Sequence, residues 1–226
     1  MTLSDRQIER YSRQIIVPGF SGAAQERLLA SRLAILADAN EAEPALVYFA
    51  GAGIGHITLA GPGGRAAAEE RAARIRDLNS DAVLAHAASV PDEIDLLFAL
   101  IGGPESRSAL DAVAGRPRSG AMIVVRIDAP ARIAIIPDGA GCPRCAGGAL
   151  LDPPRARAEH AEFVAMVAAV EALKLLAGLA EANAAALIEF DGLAASARPL
   201  PVHDLIAAAS PACGCRRAGE HASASR

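Results

Sequence analysis

Four cysteines fall in two close pairs, Cys142 with Cys145 and Cys213 with Cys215, in a chain of 226 residues. Thiolates this close together on a turn can chelate one soft cation, and two such pairs complete a tetrahedral site. The expected ion is a structural zinc joining the C-terminal segment to the body of the chain. The second pair has a CxC spacing, shorter than the usual CxxC, and His203 or His221 could replace one ligand. Free thiols or a redox pair are the alternatives. With all four thiolates on a metal, none remains for a thioester or persulfide step.

The second stretch with chemical content is Ala37-Asp38-Ala39-Asn40-Glu41-Ala42-Glu43. It stands between a strand pattern and a helix pattern, where a glycine-rich loop would let backbone N–H groups approach a phosphate. This loop has no glycine and three carboxylates. Each Cβ blocks close approach. Each carboxylate repels a phosphate by roughly 1 kcal/mol at 4 Å in water, and by more where the dielectric is lower. The acids could instead serve as cap and first-turn residues of the following helix. The sole lysine is Lys174, so a phosphate-holding lysine has almost nowhere to be.

The elements around this loop read as a βαβ unit. LAIL, from Leu33, has the length and apolarity of a buried parallel strand. Pro44 fits the first turn of a helix over ALVYFAGAG, which Gly53 or Gly55 can end in the left-handed conformation. HITLAG is the second strand. Upstream, Ser4 and Gln7 form a capping box for a helix over LSDRQIERYSRQII, and a second helix carries Gln25, Glu26 and Arg27 outward. Downstream, the turn Gly61-Pro62-Gly63-Gly64 leads into a helix with a solvated Arg/Glu face. Strands AVLAHAA and IDLLFALI follow, the latter ending at Gly102-Gly103. Next come a helix over ESRSALDAVAG and two adjacent strands, AMIVVRI and ARIAIIP, turning at Asp128-Ala129-Pro130. An apolar helix spans about residues 160 to 180, and a closing hairpin is expected around Asp191-Gly192.

Hydrophobic residues make up 52% of the chain, enough for a sizeable α/β core, and disorder is excluded for most of it. Aromatics are only 3%, so that core is aliphatic. The net charge of −4 argues against a general nucleic-acid or membrane-surface binder. Glu171 and Lys174 interrupt the most apolar stretch, which reads as a buried helix rather than a membrane span. The polar opening MTLSDRQIER and the paired thiols predict a cytoplasmic protein. One domain over residues 1–215 is expected, with 216–226 a disordered tail.

In order along the chain, RYSRQI, a helix with Gln25 and Glu26, a βαβ unit ending GAGIGHITL, a helix ending DLNS, CPRC, a long EALKLL helix and a terminal cysteine pair resemble the ThiF/MoeB/HesA family, bacterial relatives of ubiquitin-activating enzymes. The resemblance covers nearly the whole chain. It implies a Rossmann-like, doubly wound, mostly parallel sheet with a zinc-knuckle C-terminal part. It also implies Mg-ATP-dependent adenylation of the C-terminal glycine of a ubiquitin-like sulfur carrier, and a dimer. Carried over position by position, the active residues are missing. The glycine loop falls on Ala37 to Glu43, with Ala37, Asp38, Ala39, Asn40, Glu41 and Ala42 as its degenerate remnant. The ribose acid falls near Gly61, the lysine near Ala67 and the magnesium aspartate near Gly102. Losses at one site of fixed charge and metal acid are serious for transfer at phosphorus. One element stays: Arg13 of RYSRQI, which in the family reaches in trans toward the neighbouring subunit's ATP. Alternatively, Arg10 and Arg13 lie on a solvated helix face.

The resulting expectation is an adenylation-deficient member, zinc-bound and doubtful for ATP and magnesium, acting as partner or regulatory subunit for a ubiquitin-like sulfur carrier or an active paralogue, in a homo- or heterodimer. A working adenylyltransferase is the second reading; it would need Arg65, Arg71 or Arg74 in place of the lysine and Asp38 or Glu41 in place of the metal acid. A third is a module binding a cationic small ligand at the acidic loop. His56, His86 and His160 are isolated and read as structural or exposed. Asp92, Glu93 and Asp95 read as a solvated strand entry. The stripe Val164, Val167, Val170 and Leu173 reads as core or dimer seam.

Overall fold

A computed structural model of the chain describes residues 2–37, 41–61, 65–114, 120–138, 142–143, 156–179 and 185–190. Seven strands form one sheet in the order β3-β2-β1-β4-β5-β6-β7. They are β1 (Arg32–Leu36), β2 (His56–Ala60), β3 (Val83–Ala87), β4 (Leu96–Ile101), β5 (Ala121–Arg126), β6 (Ala131–Ile136) and β7 (Ala186–Phe190). The first five run parallel, and β6 and β7 are antiparallel additions at one edge. The central strands are apolar along their whole length because both faces are covered; every residue of β4, LLFALI, is buried. This is the mixed, mostly parallel α/β sheet that the resemblance implies. The hairpin expected around Asp191-Gly192 lies outside the described residues, as do the tail 216–226 and three of the four cysteines.

Six helices accompany the sheet among the described residues: α1 (Asp5–Ile15), α2 (Gly22–Ala30), α3 (Ala42–Ala52), α4 (Arg65–Leu78), α5 (Pro104–Val113) and α6 (Ala161–Ala177). The capping box at Ser4 forms as expected, the Gln7 amide N–H donating to the Ser4 hydroxyl and the Ser4 N–H to the Gln7 side chain at 3.0 Å. Gly53 ends α3 with φ +96°, in the left-handed region that glycine adopts without strain. One face of the sheet packs on α2, α3 and α6, with Phe49 against Phe98 in an edge-to-face contact at 5.1 Å. The other face packs on α5 through Leu110 and Val113.

One helix face differs from its sequence reading, and a second is core in part. Gln25 was expected outward, but it is fully buried, and its side-chain amide donates to the Ala52 carbonyl at 3.1 Å. That carbonyl stands in the last turn of α3, where no N–H of the same helix can reach it. On α6, Val164 is core, but Val170 is 40% exposed. The buried stripe is instead built of Ala161, Ala165, Ala168, Ala169 and Ala172, whose small side chains let the helix lie close to its neighbours. Among the described residues no helix is long and apolar enough to cross a membrane.

Candidate functional site

From β1 the chain winds outward to β2 and β3, then returns past β1 to β4 and β5. Open sheets of this kind bind ligands at the carboxyl ends of the strands where winding reverses, here between β1 and β4. Two segments meet there: the loop entering α3 and the turn Gly102-Gly103 entering α5. Of the loop's acidic residues, Glu41 and Glu43 are described; residues 38–40 are not.

Glu41 occupies the N-cap position of α3, but its side chain makes no capping bond. The carboxylate turns across the switch point instead and lies against Gly102, where a Cβ would overlap both of its oxygens. The Arg157 guanidinium donates to Glu41 Oε1 at 2.7 Å and, with its other terminal nitrogen, to Glu162 Oε1 at 2.8 Å. Arg157 is brought there by a short backbone pairing: the Ala129 N–H donates to the Ala156 carbonyl at 3.0 Å, and the Ala158 N–H to the Ile127 carbonyl at 2.8 Å. The hydrogen bond and charge of Arg157 hold the Glu162 carboxyl below its ordinary value. The same Glu162 contact is the main cause that raises the Arg157 pKa. Glu43, in the first turn of α3, is gripped by Arg71 Nε and Arg74 Nη1, both at 2.8 Å. The α4 face read from sequence as solvated therefore has one working edge, with Arg71 half-buried against the loop.

Between β1 and β2 the crevice narrows to a cavity of about 20 Å³, lined by Ala37, Ala42, Gly61, Arg71 and His86 among others. A cavity this size holds one water, and small-molecule pockets are on the order of 300 Å³ or more. His86 Nε2 lies 3.2 Å from the Gly61 carbonyl. At the adjoining end of β5, Arg126 and Asp128 form a buried bidentate pair, Arg126 Nε donating to Asp128 Oδ1 at 2.8 Å. Among the described residues, the crevice gathers the carboxylates of Glu41 and Glu43 with the guanidinium groups of Arg71, Arg74 and Arg157 that pair with them.

Arg13 stands elsewhere. Its helix is held by a polar clasp: buried Asn79 donates to the Tyr11 oxygen at 2.8 Å and to the Ala50 carbonyl at 2.7 Å, and the Tyr11 O–H donates to Asp81 Oδ2 at 3.2 Å. Arg6 also donates to Asp81 and Ser80, while Arg10 donates to the Leu78 carbonyl at 3.3 Å. Arg6 and Arg10 are thus spent on the clasp. Arg13 is exposed and makes no ion pair or hydrogen bond among the described residues.

Of the four cysteines, Cys142 is described and is buried at 3% exposure on the α5 face of the sheet. Cys145, Cys213 and Cys215 lie outside the described residues. Among the described residues no three His, Cys, Asp or Glu side chains cluster as a metal site. Asp95 accepts the Arg32 N–H at 2.7 Å, and Glu93 pairs with the Arg32 guanidinium at 3.3 Å, which makes the acidic strand entry structural.

No family model matches the chain. Short stretches of it do match curated proteins. The sulfur carrier protein ThiS adenylyltransferase of Escherichia coli is 40% identical over 58 residues, 26% of this chain and 23% of that protein. The molybdopterin-synthase adenylyltransferase of Salmonella typhimurium is 42% identical over 57 residues, 25% of this chain and 23% of that protein. The fold is shared far more widely: the crystal structure of MccB from E. coli superposes with a TM-score of 0.66 at 15% identity, covering 95% of this chain and 73% of MccB. Over these short stretches the chain is similar to adenylyltransferases of the ThiF/MoeB/HesA type, and over nearly its whole length it shares the MccB fold. The aligned stretch spans less than a quarter of each of those adenylyltransferases. MccB itself has been crystallised with ATP and with MccA.

Sequence reasoning missed Arg157, Glu162, the Arg126–Asp128 pair and the Tyr11–Asn79–Asp81 clasp. Tyr11 alone carried a signal, as the one aromatic in a charged helix. Arg157 stands in the segment PPRARAEH, which has no periodicity, and only the backbone pairing to residues 127–129 brings it to the crevice.

Proposed function

We propose that this chain is an adenylation-deficient member of the ThiF/MoeB/HesA family and serves as a partner or regulatory subunit, either for a ubiquitin-like sulfur carrier or for an active paralogue to which it donates Arg13 in a dimer. The observation that carries this is the occupation of the switch point by the chain's own groups: the Glu41 carboxylate seated on Gly102 and held by Arg157. A magnesium acid at position 102 and a carboxylate at Glu41 exclude each other sterically. Arg13, in contrast, has its helix fixed and its own charge unspent. We further assign a structural zinc to Cys142, Cys145, Cys213 and Cys215, supported by their spacing and by the burial of Cys142.

The deciding experiment is calorimetric titration of Mg-ATP into the zinc-loaded protein. The expected result is no heat up to millimolar nucleotide. Micromolar binding with pyrophosphate exchange would overturn the proposal in favour of the second reading, an ATP-dependent adenylyltransferase acting on a ubiquitin-like carrier. What favours that second reading is the named activity of the matched relatives and the three arginines, Arg71, Arg74 and Arg157, already gathered at the crevice. In a reconstituted complex with an active paralogue, Arg13→Ala is expected to abolish the gain in adenylation that this chain confers.

A further inference from the structure

A cavity of about 700 Å³ opens at the end of the sheet opposite the crevice, where β1, β4 and β5 begin. Because β6 runs antiparallel to β5, its exit at Asp138 arrives at this same end. The last turns of α2 and α6 complete the wall with Ala30, Leu175 and Leu176. Small-molecule sites enclose roughly 300–1,000 Å³, a range this cavity falls in and the crevice, at about 20 Å³, does not. The floor is fixed. Gly120, at φ +90°, fits against the Ile94 and Asp95 carbonyls, where a Cβ would overlap both. Asp95 is tied three times to the neighbouring strand ends. Its N–H donates to the Arg32 carbonyl at 2.9 Å, its carbonyl accepts the Ala121 N–H at 3.0 Å, and its Oδ2 accepts the Arg32 N–H at 2.7 Å.

Charge selects the ligand. The charged side chains lining the cavity among the described residues are Arg27, Arg32, Glu93, Asp95 and Asp138. Both cations are engaged: Arg27 donates to the Ala177 carbonyl at 3.0 Å, and Arg32 pairs with Glu93 at 3.3 Å. Two carboxylates are left over. Asp138 makes no ion pair or hydrogen bond among the described residues, and Asp95 bonds through Oδ2 with Oδ1 open. The carboxyl ends of α2 and α6 add partial negative charge to the same wall. An anion is repelled there. Two carboxylates are too few for a divalent cation, and no third metal-ligating side chain joins them among the described residues. We propose that this cavity binds a small aliphatic diamine, its two ammonium groups paired with Asp95 and Asp138 and its methylene stem lying on Leu175 and Leu176. The site is remote from the crevice, so it stands or falls apart from the partner role proposed above.

The test is NMR and calorimetric titration of the full, isotope-labelled chain with the diamine cadaverine, the monoamine pentylamine and the dianion glutarate at constant ionic strength. Cadaverine is expected to bind saturably and roughly threefold or more tightly than pentylamine, as one added exposed charge pair allows. Glutarate should not bind. Amide shifts should centre on Ala121, Leu175 and Leu176. Asp138→Asn removes no contact within the chain, so it should melt like the parent and bind cadaverine no better than pentylamine. Ala30→Lys supplies an ammonium group to the wall from the chain itself and should abolish cadaverine binding. Equal affinity for the two amines, undiminished binding by Asp138→Asn, or no saturable binding overturns the proposal. So do shifts at Glu43 and Arg71, which would put the amine at the acidic loop. Tighter binding of a single-lysine peptide than of cadaverine overturns it as well, since the ligand would then be a protein side chain. None of these outcomes bears on the Mg-ATP titration, so the diamine site and the partner role fail separately.

Discussion

The α1 clasp and the β1/β4 crevice are both polar assemblies that join distant parts of the chain, and they are built in opposite ways. The clasp is neutral at its centre, dry and sterically tight: Asn79 and Tyr11 are each 1% exposed, and Gly53 has room for no side chain against Gln25 and the Tyr11 ring. The crevice is ionic and wet, with Arg157 47% and Arg74 65% exposed. Hydrogen bonds in the first setting are strong because breaking one leaves a buried group without water. Ion pairs in the second are screened and weak individually. The clasp is therefore a structural device that fixes α1, whereas the crevice trades stability for charge placement at the point where ligands bind in such folds.

The largest effects are expected beside the clasp. Gly55 directly precedes β2, and a Cβ there would overlap the Leu29 carbonyl oxygen. Gly55→Ala is expected to cost roughly 3 kcal/mol or more, because backbone on both sides must shift. Thermal and urea unfolding measure this, and a cost under about 1 kcal/mol would mean that the α2–β2 packing is loose.

Asn79→Ala comes next. It removes donors to the Tyr11 oxygen and the Ala50 carbonyl and the acceptor for the Asp81 N–H at 3.0 Å. A loss of about 2 kcal/mol is expected, independent of salt, since the groups involved are buried and mostly uncharged. Arg157→Ala, the matched change in the crevice, is expected to cost under about 1 kcal/mol and to lose even that in high salt. If the two variants had equal costs, the contrast between the regions would fail.

A sharper probe of the crevice is the pair Gly102→Asp and Glu41→Gly. Alone, Gly102→Asp forces a side chain into the Glu41 carboxylate and adds like charge; a loss of about 2 kcal/mol is expected. In the double variant the clash disappears, and about 1 kcal/mol or more of that loss should return as coupling. Additive costs in a double-mutant cycle would show that Glu41 does not rest on Gly102.

These regions were unequally legible in the sequence. The βαβ unit was readable because its signals are local: a buried run at Leu33–Leu36, Pro44 in the first helical turn, and Gly53 placed to take a positive φ. The clasp was half-readable. The capping box at Ser4 follows from three-residue spacing, but Asn79 and Asp81 meet Tyr11 across some 70 residues, beyond any local pattern. Gln25 was misread for the same reason, because its partner is a carbonyl on another helix. At the crevice the loop's composition disclosed carboxylates where a phosphate-binding loop carries glycines, while their partner, an arginine delivered from residue 157, left no periodic trace.

The smallest effects separate the regions by pH. Burial, the largest cause, raises the Tyr11 hydroxyl above its ordinary 10.0, and the Asp81 carboxylate pushes the same way. A phenol raised in the folded state gives stability that is complete below pH 10.0 and is lost as pH climbs through the folded value. Glu162 behaves inversely: Arg157 lowers its carboxyl below 4.5, so its contribution is present above that pH and disappears as pH falls through the folded value. With Glu162 64% exposed, solvent screening keeps that contribution within a few tenths of a kcal/mol, about the size of other surface pairs. Unfolding of the parent chain, Tyr11→Phe and Glu162→Gln across both windows separates these terms. Tyr11→Phe should flatten the alkaline limb and leave the acid limb unchanged, and Glu162→Gln should slightly flatten the acid limb alone. A change in both limbs from either substitution would show that the clasp and the crevice are one coupled network, not two devices.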